Sequence, residues 1–585
     1  MSLDIARLIA FSGISATELQ ISVASSNISN ADTAGYTKKN VDQSASVTGG
    51  VGTGVSITGI SSTVDKLLLK ALIGATSDLG AADTTNTYMT QLGQLLGTAN
   101  SSGSATTGTS LANSLAALET ALSSLASSPS SVSLQSGVIS ALDDFATQLR
   151  STSAGIQTLR SNADKDIASS VKAINSDLQQ ISDLNVTIRK MAAAGQSTAD
   201  LEDQRNSALQ DLSSYMNVNY YTTSNGDLQV SSATGLALVD GKAHTLSYTP
   251  TSNVSALTSY SSGGFSGITV DGVDLTSQIT SGKVGALITM RDQTLPAEQT
   301  QLDQLAQQLK SSLNAITNGA SSVPPPSSLT GSTVVSGGAG LAGSGTVRIA
   351  VTDQSGKLVS YQDINLGGYA TIGDLVTALN GMSGISASVD ANGHLKISST
   401  TAGDGIAIND MTSSVGGVGF SDYFGMNDLV TGTGASNFAV RTDLLTGAAS
   451  LPTDTLDGSA TLTTGSSVLV SGSATIINDI YDTLTGSTSF ASAGGLSATT
   501  GSFADYAAAI VANVASKSSQ AATAYTTKAT AQETYANSLT SQSGVNIDEE
   551  TAHISALQNK YAAASQLISA VNSMFSSLIT AMQSA

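Results

Sequence analysis

Apolar side chains return every seven residues at the C-terminal end of the chain, at Ile547, Ile554, Tyr561, Ile568, Phe575 and Met582. Leu557, Ala564, Val571 and Leu578 follow three places behind the middle four. An a/d repeat held over about five heptads is a seam that needs a second helix, because one narrow apolar stripe cannot bury itself. The N-terminal end repeats the pattern with Ile14, Ile21 and Ile28, and Ala10, Ala24 and Ala31 serve as small d-type residues. Both ends therefore predict helices that pack against each other or against copies of themselves.

With 585 residues, the chain has room for several domains at about 100 to 200 residues each. Its surface is polar but weakly charged, with only 11% charged residues and no Trp, while the net charge is -20. That charge repels phosphate backbones, and no stretch clusters Lys or Arg with aromatics, so neither nucleic acid nor an anionic membrane is an expected partner. Cysteine is absent, which removes disulfides, thiolate nucleophiles and the usual zinc sites. Residues 1–20 carry Asp4 and Arg7 and interrupt the apolar run Leu8–Phe11 with Ser12-Gly13, unlike a cleavable signal peptide. The terminal apolar residues never reach 18 in a row, so no membrane insertion is expected.

Between the ends the period changes. The polar stretch Ser25–Tyr36 predicts a helix stop, and the glycines at 49, 50, 52 and 54 predict a short hairpin within 37–64. Leu111, Leu115, Leu118, Leu122 and Leu125 form one helical stripe, and Ile167, Ile174, Ile181 and Ile188 another. A meander of short strands is expected over 217–280, around the Asn225-Gly226 turn. A helix through Leu302–Ile316 follows, then a boundary at Pro324-Pro325-Pro326. Residues from about 329 to 440 are strand-rich with one helix near Thr371–Met382, the chain from Asp457 is low in complexity, and Phe503 onward is helical with a break at Ser543-Gly544. The fold class expected is α+β and multidomain, with nested domains. Residues 1–35 with 545–585 form a terminal coiled-coil unit, 36–325 with 441–544 a helical bundle carrying the meander, and 326–440 an inserted β-rich outer domain.

Candidate chemistry is sparse. His244, His394 and His553 have no second histidine at helical ligand spacing, and Asp390-Ala391-Asn392-Gly393 lacks the later acidic ligands of a calcium loop and reads as a hairpin turn. Gly338, Gly340 and Gly343 match a dinucleotide fingerprint but lead into a strand where a phosphate site needs a helix N-terminus. The carboxylate pairs Asp143-Asp144 and Glu549-Glu550 suit an exposed helix face and a helix start. No catalytic, cofactor-binding or metal-binding residues are expected, and the chain is not expected to be an enzyme.

Two stretches are more specific. Ser25 to Tyr36, through Ser26, Asn27, Ile28, Asn30, Ala31, Gly35 and Tyr36, resembles the N-terminal signature of flagellar rod, hook and hook-associated proteins. Ser543 to Glu550, running into Leu557–Ser565, is similar to the C-terminal pattern of that axial family. The departures are Ala34 in place of the usual Pro, and Thr37-Lys38-Lys39 where Ser-Arg-Gln is common. In the middle, Asp203-Gln204-Arg205 with the Gly226–Val230 strand, and Arg291-Asp292 with Leu295-Pro296, resemble blocks of the hook-associated protein 1 branch, as does Gly419–Gly432.

The resemblance implies a structural protein of the bacterial flagellum that joins hook to filament. It implies export through the flagellar type III system, a homo-oligomeric ring, the hook protein and hook-associated protein 3 as neighbours, and a cytoplasmic chaperone on the C-terminal helix. The packing residues would be Ile14, Ile21, Ile547, Ile554, Leu557, Tyr561, Ala564, Ile568, Val571, Phe575 and Leu578, with both termini ordering on assembly. Hook protein or hook-associated protein 3 itself, a secreted surface adhesin, and a cell-wall hydrolase fused to an axial protein are the rival readings. The adhesin predicts a fixed-period repeat and the hydrolase an acidic or Cys/His catalytic set, and neither is found.

Overall fold

The computed structural model describes residues 3–97 and 110–584. Helix α1 (Leu3–Ser29) runs past the expected stop into the signature itself. Its last carbonyls are capped locally, Ser29 Oγ donating to Ser25 O at 2.9 Å and Asn30 Nδ2 to Ser26 O at 2.9 Å, so the polar residues extend the helix instead of ending it. The expected short hairpin is long: β1 (Lys39–Thr48) pairs antiparallel with β2 (Val51–Ser62). A two-stranded ribbon is marginal in water, and α1 backs it. The Val55 N–H donates to Ser12 Oγ at 3.1 Å, beside Gly54, whose φ of +132° and 2.1 Å gap from a would-be Cβ to Ser12 Oγ admit no side chain.

The bundle begins with α2 (Lys66–Leu96), capped by Asp65, whose side chain accepts from the Leu67 and Leu68 N–H groups. It continues with α3 (Leu111–Ala126), α4 (Val132–Ala193) and α5 (Ala199–Tyr215). The Ile167–Ile188 stripe is the second half of α4, an unbroken helix of 62 residues. Strands β3 (Asn219–Thr222), β4 (Leu228–Ser231) and β5 (Ala237–Val239) form one small sheet, and β6 (Leu246–Ser247), β7 (Thr269–Val270) and β8 (Val273–Asp274) another. Helix α6 (Gly282–Thr289) passes through a π turn over Met290–Thr294 into α7 (Leu295–Asn318). Pro296 has no N–H to give the α ladder, and the widened turn absorbs the mismatch.

An outer unit follows with its own core. Strands β9 (Ser328–Val334), β10 (Gly343–Ser344), β11 (Thr346–Asp353) and β12 (Leu358–Asn365) precede α8 (Ile372–Asn380). Then come β13 (Ile385–Val389), β14 (His394–Ser399), β15 (Asp404–Asn409) and β16 (Ser414–Val415), before α9 (Phe420–Phe424). The main sheets are antiparallel, ordered β12-β11-β15 and β13-β14-β9. Val347, Ile349 and Val351 pack with Leu375 and Ile397 in this core, while Ala350 and Ala407 are covered by Leu456, Val468 and Leu469 from the segment that reads as low-complexity sequence.

The chain returns to the bundle through β17 (Val430–Thr431), β18 (Ala439–Val440), α10 (Thr442–Leu445) and α11 (Thr475–Thr485). The sequence gives no expectation of α11, which buries Ile476, Ile477, Ile480 and Leu484. After β19 (Thr488–Phe490) and β20 (Thr499–Gly501), α12 (Phe503–Ser543) starts in a Ser502–Asp505 capping box and packs along α2. A break at 544–546 leads into α13 (Ile547–Ser584), which packs against α1. The architecture is α+β and multidomain.

Candidate assembly site and its polar joint

Asn27 next to Glu550, and Glu18 and Ile21 beside Gln558 and Tyr561 around an open cavity of about 290 Å³, make α1 and α13 antiparallel. Buried along the pair are Ala10, Ala16, Thr17 and Ala24 from α1, and Leu557 and Val571 from α13. Ile14, Ile21, Ile554, Ala564, Ile568 and Phe575 are half-buried. Ile547, Tyr561 and Leu578 are exposed, as are Leu567, Met574, Ile579 and Met582 together with Leu8 and Phe11 on α1. The antiparallel register and the greater length of α13 carry its last turns beyond the start of α1. By length and composition alone, α1 and the α12–α13 run are apolar enough to cross a bilayer. The sequence reading missed this because it counted consecutive apolar residues, and these are spaced around a seam.

The signature closes the near end of this pair. Asn27 is 1% exposed, and its amide uses its full hydrogen-bonding capacity. Nδ2 donates to Lys39 O at 3.0 Å and to Glu550 Oε2 at 3.2 Å, while Oδ1 accepts from the Tyr36 hydroxyl at 2.9 Å and the Lys39 N–H at 3.0 Å. Gly35 makes the turn at φ +77°, and a Cβ there would fall 2.5 Å from Ser207 Oγ on α5. Ser26 accepts from Asn30 at the end of α1, while Ile28 and Ala31 are half-buried beside it. Glu550, expected only to suit a helix start, is 1% exposed and stands 2.8 Å from Lys38 Nζ, off the line of a good hydrogen bond, so the contact is ionic. The carboxylate raises the Lys38 pKa above the ordinary lysine value.

Thr37 and Lys39 face the bundle. Asp203 on α5 accepts from the Thr37 N–H at 2.9 Å and from its hydroxyl at 2.7 Å, and it pairs with the Lys39 ammonium. Lys39 also donates to Ala199 O at 3.2 Å and lies 4.8 Å from the Tyr36 ring centre. Sequence reasoning passed over Thr37, Lys38 and Lys39 as departures from the usual pattern. The clue was Asp203, the acid of the D-Q-R block. Its neighbour Arg205 holds the meander, donating to Asn185 Oδ1 at 2.8 Å and Gly226 O at 2.7 Å. In the R-D-x-x-L-P block, Arg291 is fully buried and donates to Asp164 at 2.9 Å, to Asp292 and to the Tyr248 hydroxyl.

His244 is held between Asp271 at 2.6 Å and Asp240 at 2.8 Å, and Asp390 accepts from the N–H groups of Asn392 and His394 in the hairpin turn. Among the described residues no group of three or more His, Asp or Glu side chains is set to hold a metal ion.

The two ends of the chain that pair in this way, α1 with its signature and α13, are also the parts that match models of flagellar axial proteins. Residues 8–37 match the family model for the flagella basal body rod protein, and residues 537–581 that for the C-terminal region of flagellar basal body rod FlgEFG proteins. Residues 102–322 match the flagellar hook-associated protein FlgK helical domain. Flagellar hook-associated protein 1 of Salmonella typhimurium is 26% identical over 97% of this chain and 98% of its own, and that of Escherichia coli K12 is 24% identical over the same shares. The flagellar hook junction protein FlgK from Burkholderia pseudomallei is similar at 17% identity and a TM-score of 0.46, covering 80% of this chain and 98% of that one. Over nearly its whole length, then, the chain is similar to flagellar hook-associated protein 1.

Proposed function

We propose that this protein is the structural adaptor between hook and filament, and that its copies form a ring by packing α1 and α13 against neighbouring subunits. The observation that carries the reading is the apolar surface left over by the α1–α13 pair. Leu567, Met574, Leu578, Ile579 and Met582 are 47 to 75% exposed, far more than one helix hairpin in water would leave bare. In the ring these side chains meet further helices. The hook protein lies on one side and hook-associated protein 3 on the other, and before export a cytoplasmic chaperone covers the same face of α13. We assign no catalytic role, since the relatives are structural flagellar proteins. The expected bounds of 1–35 with 545–585, 36–325 with 441–544 and 326–440 shift with the packing: the β1–β2 ribbon goes with the axial pair, Leu429–Val440 with the bundle core, and Leu456–Leu469 with the outward-facing unit.

Met574→Asp with Ile579→Asp tests this directly, because both side chains are at least half exposed. Cells carrying the double variant should show hooks without filaments under negative stain, as should cells lacking the gene. Intact filaments in either strain would refute the junction role, and variant protein lost from a membrane fraction that holds the parent would favour bilayer insertion.

A further inference from the structure

We propose that Lys39 and Asp203 form a latch that fixes the direction in which the axial helices leave the bundle. Among the described residues, none from 3–63 or 540–584 joins any of the three apolar core clusters. The axial unit is therefore attached without a shared core, and non-directional burial does not set its angle. Polar groups do. The two crossings of the chain converge on Ser543, which is 3% exposed: its carbonyl accepts from the Lys38 N–H at 2.8 Å and its hydroxyl from the Asp65 N–H at 3.4 Å. Crossings that meet at one place make a pivot, and rotation about a pivot is stopped by a contact elsewhere.

That contact lies on α5. Lys38 and Lys39 are consecutive residues of extended chain, so their side chains leave on opposite faces. Lys38 goes to Glu550 on the axial side, and Lys39 goes to Asp203 and Ala199 on the bundle side. Lys39 is 5% and Asp203 6% exposed. A buried ion pair with added hydrogen bonds holds a narrow range of geometries, and removing one partner strands the other charge away from water. Lys39 and Asp203 are thus positioning residues for assembly, whatever ring the protein joins.

The chain has no cysteine, so spin labels can be placed at will. Ser569→Cys on α13 and Ser123→Cys on α3, both exposed, report the axial-to-bundle distance by pulsed electron paramagnetic resonance. Ser123→Cys with Ser176→Cys reports the bundle alone. We expect one narrow axial-to-bundle distribution in the parent, loss of that single narrow peak in Lys39→Ala and Asp203→Ala, and its recovery in the charge-swapped Lys39→Asp/Asp203→Lys. Asp200→Ala, at a 75% exposed carboxylate 3.8 Å from Lys39, should leave it narrow. A narrow distribution in both alanine variants, a broad one in the parent, or broadening of the bundle pair in the variants would each overturn the latch.

Discussion

Asn27 shows what a signature residue is for. Its four hydrogen bonds reach Lys39, Tyr36 and a glutamate 523 positions away, so one amide joins both ends of the chain. The motif could be read from the sequence, but its partners could not, because hydrogen bonds follow space and not spacing. His244 illustrates the same limit: it reads as a histidine without ligands, and in the fold it bridges two carboxylates from separate loops. Hydrogen bonds from its ring to the Asp240 and then the Asp271 carboxylate raise its pKa above the usual 6.5. Because the folded state binds the proton more tightly, the stabilisation is complete below pH 6.5 and fades as pH rises through the raised value. An NMR titration of the His244 ring should give a pKa above 6.5 that falls in Asp271→Asn, and a value at or below 6.5 in the parent would contradict the bridge.

At the scale of elements, periodicity was a sound guide wherever the partner was another helix. The C-terminal helix begins at Ile547 as the heptads require, and the helix through Leu302–Ile316 lies inside α7. The heptads did not say which seam positions close within one subunit. Leu557 is fully buried against α1 while Leu578, in the same repeat, is 51% exposed, since α1 ends before α13 does. Leu557→Ala should therefore destabilise the α1–α13 pair of the free protein by about 2 to 5 kcal/mol, seen as loss of helical circular dichroism at lower urea. Leu578→Ala should leave that transition in place, and equal shifts for the two would mean that both positions are buried in the monomer. Elements written in Ser, Thr and Gly were the ones missed. α11 does carry an apolar stripe, Ile476, Ile477, Ile480 and Leu484, but it is short and lies inside Ser/Thr/Gly-rich flanks, and the 456–469 cover has too few apolar residues for a periodic signal; each places its few against a core.

For the whole molecule, the bundle and outer unit have apolar cores of their own, whereas the axial pair is joined to them by polar groups. Protection in the free chain should follow that division. Amide exchange across Ile547–Met582 is expected to be faster than across Ile167–Ile188 in α4, whose stripe is almost entirely buried, and protection of α13 equal to that of α4 would show the axial pair to be as stable as the bundle in the free chain. The sequence by itself determined the helical ends, the strand-rich middle and the resemblance to flagellar axial proteins, because periodicity and local motifs are written in neighbouring residues. Only the tertiary structure decided that Glu550 is buried, that Thr37, Lys38 and Lys39 form a joint, and which apolar positions are left for another subunit. Those properties depend on groups that folding alone brings together.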